Sequence, residues 1–140
     1  MGTWIGVDVG TVRVGVARSD PRGMLATPVI TLARDSHGNR DIAELAALVR
    51  EFDAVGVVVG LPRTLADREG PSAVMAREYA ELLANAISPI PVRHVDERLT
   101  TVSAQRKLAQ SNVRGRAKRA LVDQVAAVEL LQHWLDIRQS

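Results

Sequence analysis

At 140 residues, 46% hydrophobic and 24% charged, the chain is long enough to bury a core and reads as one globular domain over 1–140. The absence of cysteine excludes disulfides, thiolate catalysis and Cys-based zinc sites, and with only 3% aromatics the sequence gives little support to base-stacking platforms for single strands. The net charge of +2 hides an asymmetry, because seven bases and no acid stand between Glu97 and Asp123, while the remaining 11 bases are outnumbered by 16 acids.

Residues 4–17 read as two short strands joined by a tight turn. Ile5, Val7 and Val9 alternate with Trp4, Gly6 and Asp8 in the period of two expected of a strand. Gly10 lets the backbone turn, and Val12, Val14 and Val16 resume the alternation. Asp8 is thus a lone acid on an apolar strand, where an uncompensated charge costs several kcal/mol or more. A metal ion, a basic partner or a phosphate-bound cation would offset that cost.

Ser19 to Gly23 then form a turn, and Met24 to Ala33 a third strand that Pro28 confines to an edge. A polar loop covers Arg34 to Asn39. Asp41 can cap a helix whose apolar positions Ile42, Leu45, Ala46 and Val49 follow helical spacing. Ala54 to Val59 is a near-continuous apolar run, as in a central strand covered on both faces, and it ends at Gly60-Leu61-Pro62. A polar loop carrying Arg63 and Arg68, either of which could flank a substrate, runs to Gly70. Pro71 suits the start of a helix that continues to Ile87. Val92 to Glu97 form a short strand in which His94 reads as structural. Thr100 or Thr101 can cap a helix to about Gln110, followed by a basic linker from Ser111 to Arg116 and a final helix from about Arg119 to Ile137.

The element order predicts an α/β fold with a mixed five-stranded sheet flanked by helices. The opening strands are joined too closely for crossovers and form an antiparallel meander; the later strands, separated by helices, pair in parallel. Sites in such sheets form beyond the carboxyl ends of the parallel strands, where Asp8, Gly60 and Glu97 all fall. Asp123 lies three, four, seven and eleven residues before Ala126, Ala127, Leu130 and Trp134, on the apolar stripe of the last helix. It either caps that helix, pairs with Arg119 one turn before it, or is carried toward Asp8 by the close approach that Ala126 and Ala127 permit.

Three carboxylates at one edge repel one another, and divalent Mg²⁺ or Mn²⁺ resolves the conflict. Two such ions clamp both oxygens of an in-line phosphoryl displacement. The bases Arg98, Arg106, Lys107, Arg114, Arg116, Lys118 and Arg119 suit the flanking phosphates, or else form a solvated charged face. Thr11 and Arg13 can contact a phosphate or shape the turn, and Arg98 can hold the scissile phosphate or pair with an acid. Acids at the centre and bases at the rim are the pattern of a nuclease acting on a phosphodiester.

Four segments carry a resemblance: Asp8-Val9-Gly10-Thr11, Val59-Gly60-Leu61-Pro62, Asp96-Glu97-Arg98-Leu99-Thr100-Thr101 and Asp123-Gln124-Val125-Ala126-Ala127. In this order they resemble the motifs of the YqgF/RuvX family, Holliday-junction-resolvase-like candidate nucleases of bacteria proposed to process the 5′ end of pre-16S ribosomal RNA. The likeness spans almost the whole chain. It implies a ribonuclease H-like fold, a magnesium- or manganese-dependent site and a cytoplasmic protein. It places catalytic and metal-binding acids at Asp8, Glu97 and Asp123, with Asp96 as a neighbouring ligand. Val12 stands where a lysine is common in that family.

An actin-like ATPase also opens with an Asp-x-Gly-Thr turn, but needs two lobes and about twice this length. A non-catalytic ribosome-assembly module of the same fold is the third reading; its binding would be salt-sensitive yet indifferent to Asp8. No run approaches the roughly 18 apolar residues of a membrane span, and nothing ahead of the first strand reads as a targeting segment. The expected partner is structured RNA or branched DNA, met by a monomer or a homodimer.

Overall fold

The computed structural model describes residues 2–61, 70–96 and 115–139. In chain order the elements are β1 (Trp4–Val9), β2 (Arg13–Ser19), β3 (Ala26–Ala33), α1 (Arg40–Glu51), β4 (Gly56–Leu61), α2 (Pro71–Ile87), β5 (Val92–Asp96) and α3 (Arg116–Gln139). The strands form one five-stranded sheet in the order β3-β2-β1-β4-β5. β1, β2 and β3 pair antiparallel, while β1 with β4 and β4 with β5 pair in parallel, as the loop lengths dictate.

β1 and β4 are apolar or glycine at almost every position because both of their faces are covered. One face carries Ile5, Val7, Val14, Val16, Val57 and Val59 against Leu45 and Val49 of α1 and Tyr79 and Leu83 of α2. The other carries Trp4, Ala17, Val58 and Val95 against Ala126, Ala127, Leu130, Leu131 and Leu135 of α3. β3 is an edge strand, so Pro28 forfeits no interior ladder bond; the β2–β3 register shifts where Pro28 meets Ala17.

β3 begins at Ala26, later than the expected Met24. The Asp20 carboxylate draws the Met24 and Leu25 amides into the turn, with N···O distances of 2.7 and 2.9 Å. Those amide bonds, Leu25's foremost, hold the Asp20 carboxyl below its ordinary value.

Asp41 does not cap α1. The N-cap is Asn39, in the left-handed region, and Asp41 lies in the first turn with its side chain fully enclosed. There it accepts from the Arg34 guanidinium at 3.0 Å and from the Tyr79 hydroxyl at 2.8 Å. Burial, then this bond, pushes the Tyr79 phenol far above its ordinary value, so it stays protonated and donates. Arg34 also lies over the Tyr79 ring, 4.8 Å from its centroid. The network joins the end of β3 to both helices on that face. Tyr79→Phe leaves a buried carboxylate short of a donor, and urea unfolding should show a loss of about 1–3 kcal/mol. Among the described residues no helix is long and apolar enough to cross a membrane.

Candidate active site at the carboxyl end of the central strands

Asp8 is the penultimate residue of β1 and is 2% exposed. Its antiparallel neighbour is Gly15, and on the other side Val7 is level with Val59, one step short of Gly60. Alternation puts Asp8 on the same face as Trp4 and Gly6, beneath α3.

α3 descends onto that face because the sheet offers it glycine. A Cβ on Gly6 would come within 2.7 Å of the Leu131 Cβ, and a Cβ on Gly15 would overlap the backbone carbonyl of Asp123. The helix therefore lies directly on β1 and β2 with Asp123 over Gly15, the residue paired with Asp8. Two acids distant in sequence thus border one glycine, both enclosed: Asp123 is 0% exposed. Ala126 and Ala127, buried on the same stripe, permit the approach.

Asp123 neither caps its helix nor takes Arg119 as its counter-ion. α3 starts at Arg116, so Asp123 sits two turns inside it. The Nε of Arg13, at the start of β2, donates to Asp123 Oδ2 at 2.7 Å. The Arg13 side chain is 24% exposed, the Asp123 side chain 0%. The Gly10 amide donates to the Arg13 carbonyl at 2.9 Å, closing the β1–β2 turn and fixing the base of the arginine. Arg13 therefore spends its Nε on a carboxylate in this arrangement. No local pattern could have paired it with a residue 110 positions away.

The other expected residues distribute as follows. Thr11 is exposed in the β1–β2 turn beside Val12. Asp96 ends β5 and is half-buried; it follows Val95, which faces α3, so alternation sends it to the opposite face from Asp8 and Asp123. Arg119 is exposed near the start of α3. Arg116 and Lys118 share that first turn, but their side chains are not among those described. Glu97, Arg98, Thr100, Thr101, Arg106, Lys107 and Arg114, together with Arg63 and Arg68, lie outside the described residues.

Asp8 and Asp123 offer hard carboxylate oxygens from enclosed positions, a donor set that suits Mg²⁺ or Mn²⁺ rather than a softer metal. Among the described residues no group of three or more His, Cys, Asp and Glu side chains gathers at one point. The third acid expected of the site, Glu97, is outside them.

The family model described as RuvX, Holliday junction resolvase, matches residues 2–137. The chain belongs to the RuvX family. A RuvX relative from Frankia casuarinae, named as a candidate pre-16S rRNA nuclease, is 62% identical over 135 residues, covering 96% of this chain and 67% of its own. A relative of the same name from Mycobacterium sp. (strain KMS) is 60% identical over 139 residues, covering 99% of this chain and 82% of its own. Among solved structures, RuvC of T. thermophilus in complex with a Holliday junction substrate superposes with a TM-score of 0.61 at 14% identity, over 99% of this chain and 96% of that one. The Holliday junction resolvase of fowlpox virus gives 0.54 at 12% identity, over 96% and 99%. These two likenesses show the fold, which is ribonuclease H-like.

Proposed function

We propose that this RuvX-family chain is a single-domain, metal-dependent phosphodiesterase acting on structured nucleic acid in the cytoplasm, and that its substrate is precursor 16S ribosomal RNA. The observation that carries the reading is that two enclosed acids adjoin Gly15, Asp8 as its partner across the β1–β2 ladder and Asp123 with its backbone laid against it. Two enclosed carboxylates placed beside one glycine at the carboxyl end of the central strands form the kind of charged cluster that active sites use. The names of the Frankia and mycobacterial relatives favour RNA over branched DNA.

In this reading Asp8 and Asp123, with Glu97, hold Mg²⁺ or Mn²⁺. A divalent cation there supplies charge stabilisation at the scissile phosphate and lowers the pKa of a bound water. The protein's own part is to enclose the acids, exclude bulk water and fix the separation of strand and helix. Arg119 at the exposed start of α3, with Arg98, Arg106, Lys107, Arg114, Arg116 and Lys118, neutralises the flanking phosphates, so binding weakens steeply with salt. Thr11 lines the rim.

The test is a cleavage assay offering precursor ribosomal RNA and four-way DNA side by side, with Mg²⁺, Mn²⁺ or chelator. Shortening of the RNA at its 5′ end, abolished by chelator, supports the reading. Cleavage in chelator, or ATP turnover without cleavage, would overturn it.

A further inference from the structure

The pair formed by Arg13 and Asp123 is asymmetric, and the asymmetry assigns a role that the nuclease reading does not contain. Asp123 cannot move. Its backbone lies against Gly15, its side chain is 0% exposed, and its neighbours Ala126 and Ala127 are buried in the same face. Arg13 is the opposite case. Its backbone is tied through the Gly10 amide, while its long side chain, bonded to Asp123, is 24% exposed at the start of β2. It meets the carboxylate through Nε, at 2.7 Å from Oδ2.

An enclosed carboxylate needs a counter-charge at all times, because removing one partner of a buried pair leaves an uncompensated charge. In the protein without metal, the Arg13 guanidinium supplies such a charge at Oδ2. A cation bound by Asp8 and Asp123 supplies the same compensation with two charges in place of one. The guanidinium then becomes redundant and repelled, and it is the partner with a way out to solvent. We propose that Arg13 is a resident counter-ion exchanged for the divalent cation: it holds Asp123 in place in the metal-free protein and leaves Oδ2 when the metal binds. The site would thus stay folded while empty, at the expense of metal affinity. The inference rests on the metal-site reading above.

The experiment compares wild type with Arg13→Gln, which keeps a polar side chain and removes the charge. Mn²⁺ affinity is read by electron paramagnetic resonance, and melting temperature is taken in chelator and in saturating Mn²⁺. Loss of the competitor should tighten Mn²⁺ binding by roughly tenfold, within the usual range of coupling between two ligands. The variant should melt below wild type in chelator and recover most of the difference in Mn²⁺. Arg13→Lys keeps the charge and so the fold in chelator, and its Mn²⁺ affinity should fall between the two. Mn²⁺ binding by Arg13→Gln that is equal to or weaker than wild type, with Arg13→Lys also no tighter, overturns the exchange while leaving the metal site standing. Absence of Mn²⁺ binding by all three proteins overturns the metal-site reading and the exchange together.

Discussion

Asp8→Asn should abolish cleavage while leaving substrate binding within about threefold of wild type. The substitution keeps the shape of a side chain that is 2% exposed, removes its charge and turns one acceptor oxygen into an amide donor. A carboxylate ligand that helps place a catalytic cation contributes several kcal/mol in the transition state, so a fall of about a thousandfold or more is expected. On the proposed reading substrate is held by phosphate contacts at the rim, so the salt dependence of binding should be unchanged. In chelator the variant should melt close to the wild-type temperature, since the amide fills the same enclosed space. Activity is thus lost without a matching loss of stability, which a merely structural acid would not show. Cleavage retained by the variant would count decisively against the mechanism.

Gly15→Ala should have a large effect on the fold for the addition of a single methyl group. The added carbon would overlap the carbonyl of Asp123, a backbone atom inside a helix that has no room to yield. α3 must lift from β2, loosening the layer of Ala126, Ala127, Leu130 and Leu131 beneath it. Overpacking of this kind costs about 1–3 kcal/mol or more, which for a chain of this length lowers the melting temperature by roughly 5–10 °C. Activity should fall further than stability accounts for, because the lifted turn carries Asp123 away from Asp8. Gly70→Ala is the control. Among the described residues a Cβ there meets nothing within 4 Å, and scanning calorimetry should find it close to wild type. Equal melting of the two variants would show that α3 does not rest on Gly15.

Most of the architecture was legible because it depends on local periods and loop lengths. Alternating valines marked β1 and β2, the unbroken apolar run marked β4 as central, and Pro28 put β3 at an edge. The order of short connections then crossover helices left little choice of pairing. What the sequence hid were the partners of its buried acids. Asp41 stands before an apolar helical stripe, as a cap would, yet it is held inside by Tyr79, 38 residues on, and by Arg34. Asp123 lies one turn from Arg119, yet its counter-ion comes from the other end of the chain. In both cases a local rule supplied a plausible neighbour, and burial selected a distant one that could reach a fully enclosed oxygen. The glycines deceived in a milder way. Gly6 and Gly15 stand within the alternating strands, and their purpose appears only once a helix backbone lies on them.

The claim underlying all of this is that Asp8 and Asp123 share a cation. Crystals grown without metal and then soaked in Mn²⁺ test it directly, through anomalous scattering at the manganese edge. The account predicts a peak within direct coordination distance of an oxygen from each carboxylate, with the Arg13 guanidinium displaced from Oδ2. A crystal that takes up Mn²⁺ elsewhere, or takes up none while Arg13 and Asp123 remain joined, would contradict it.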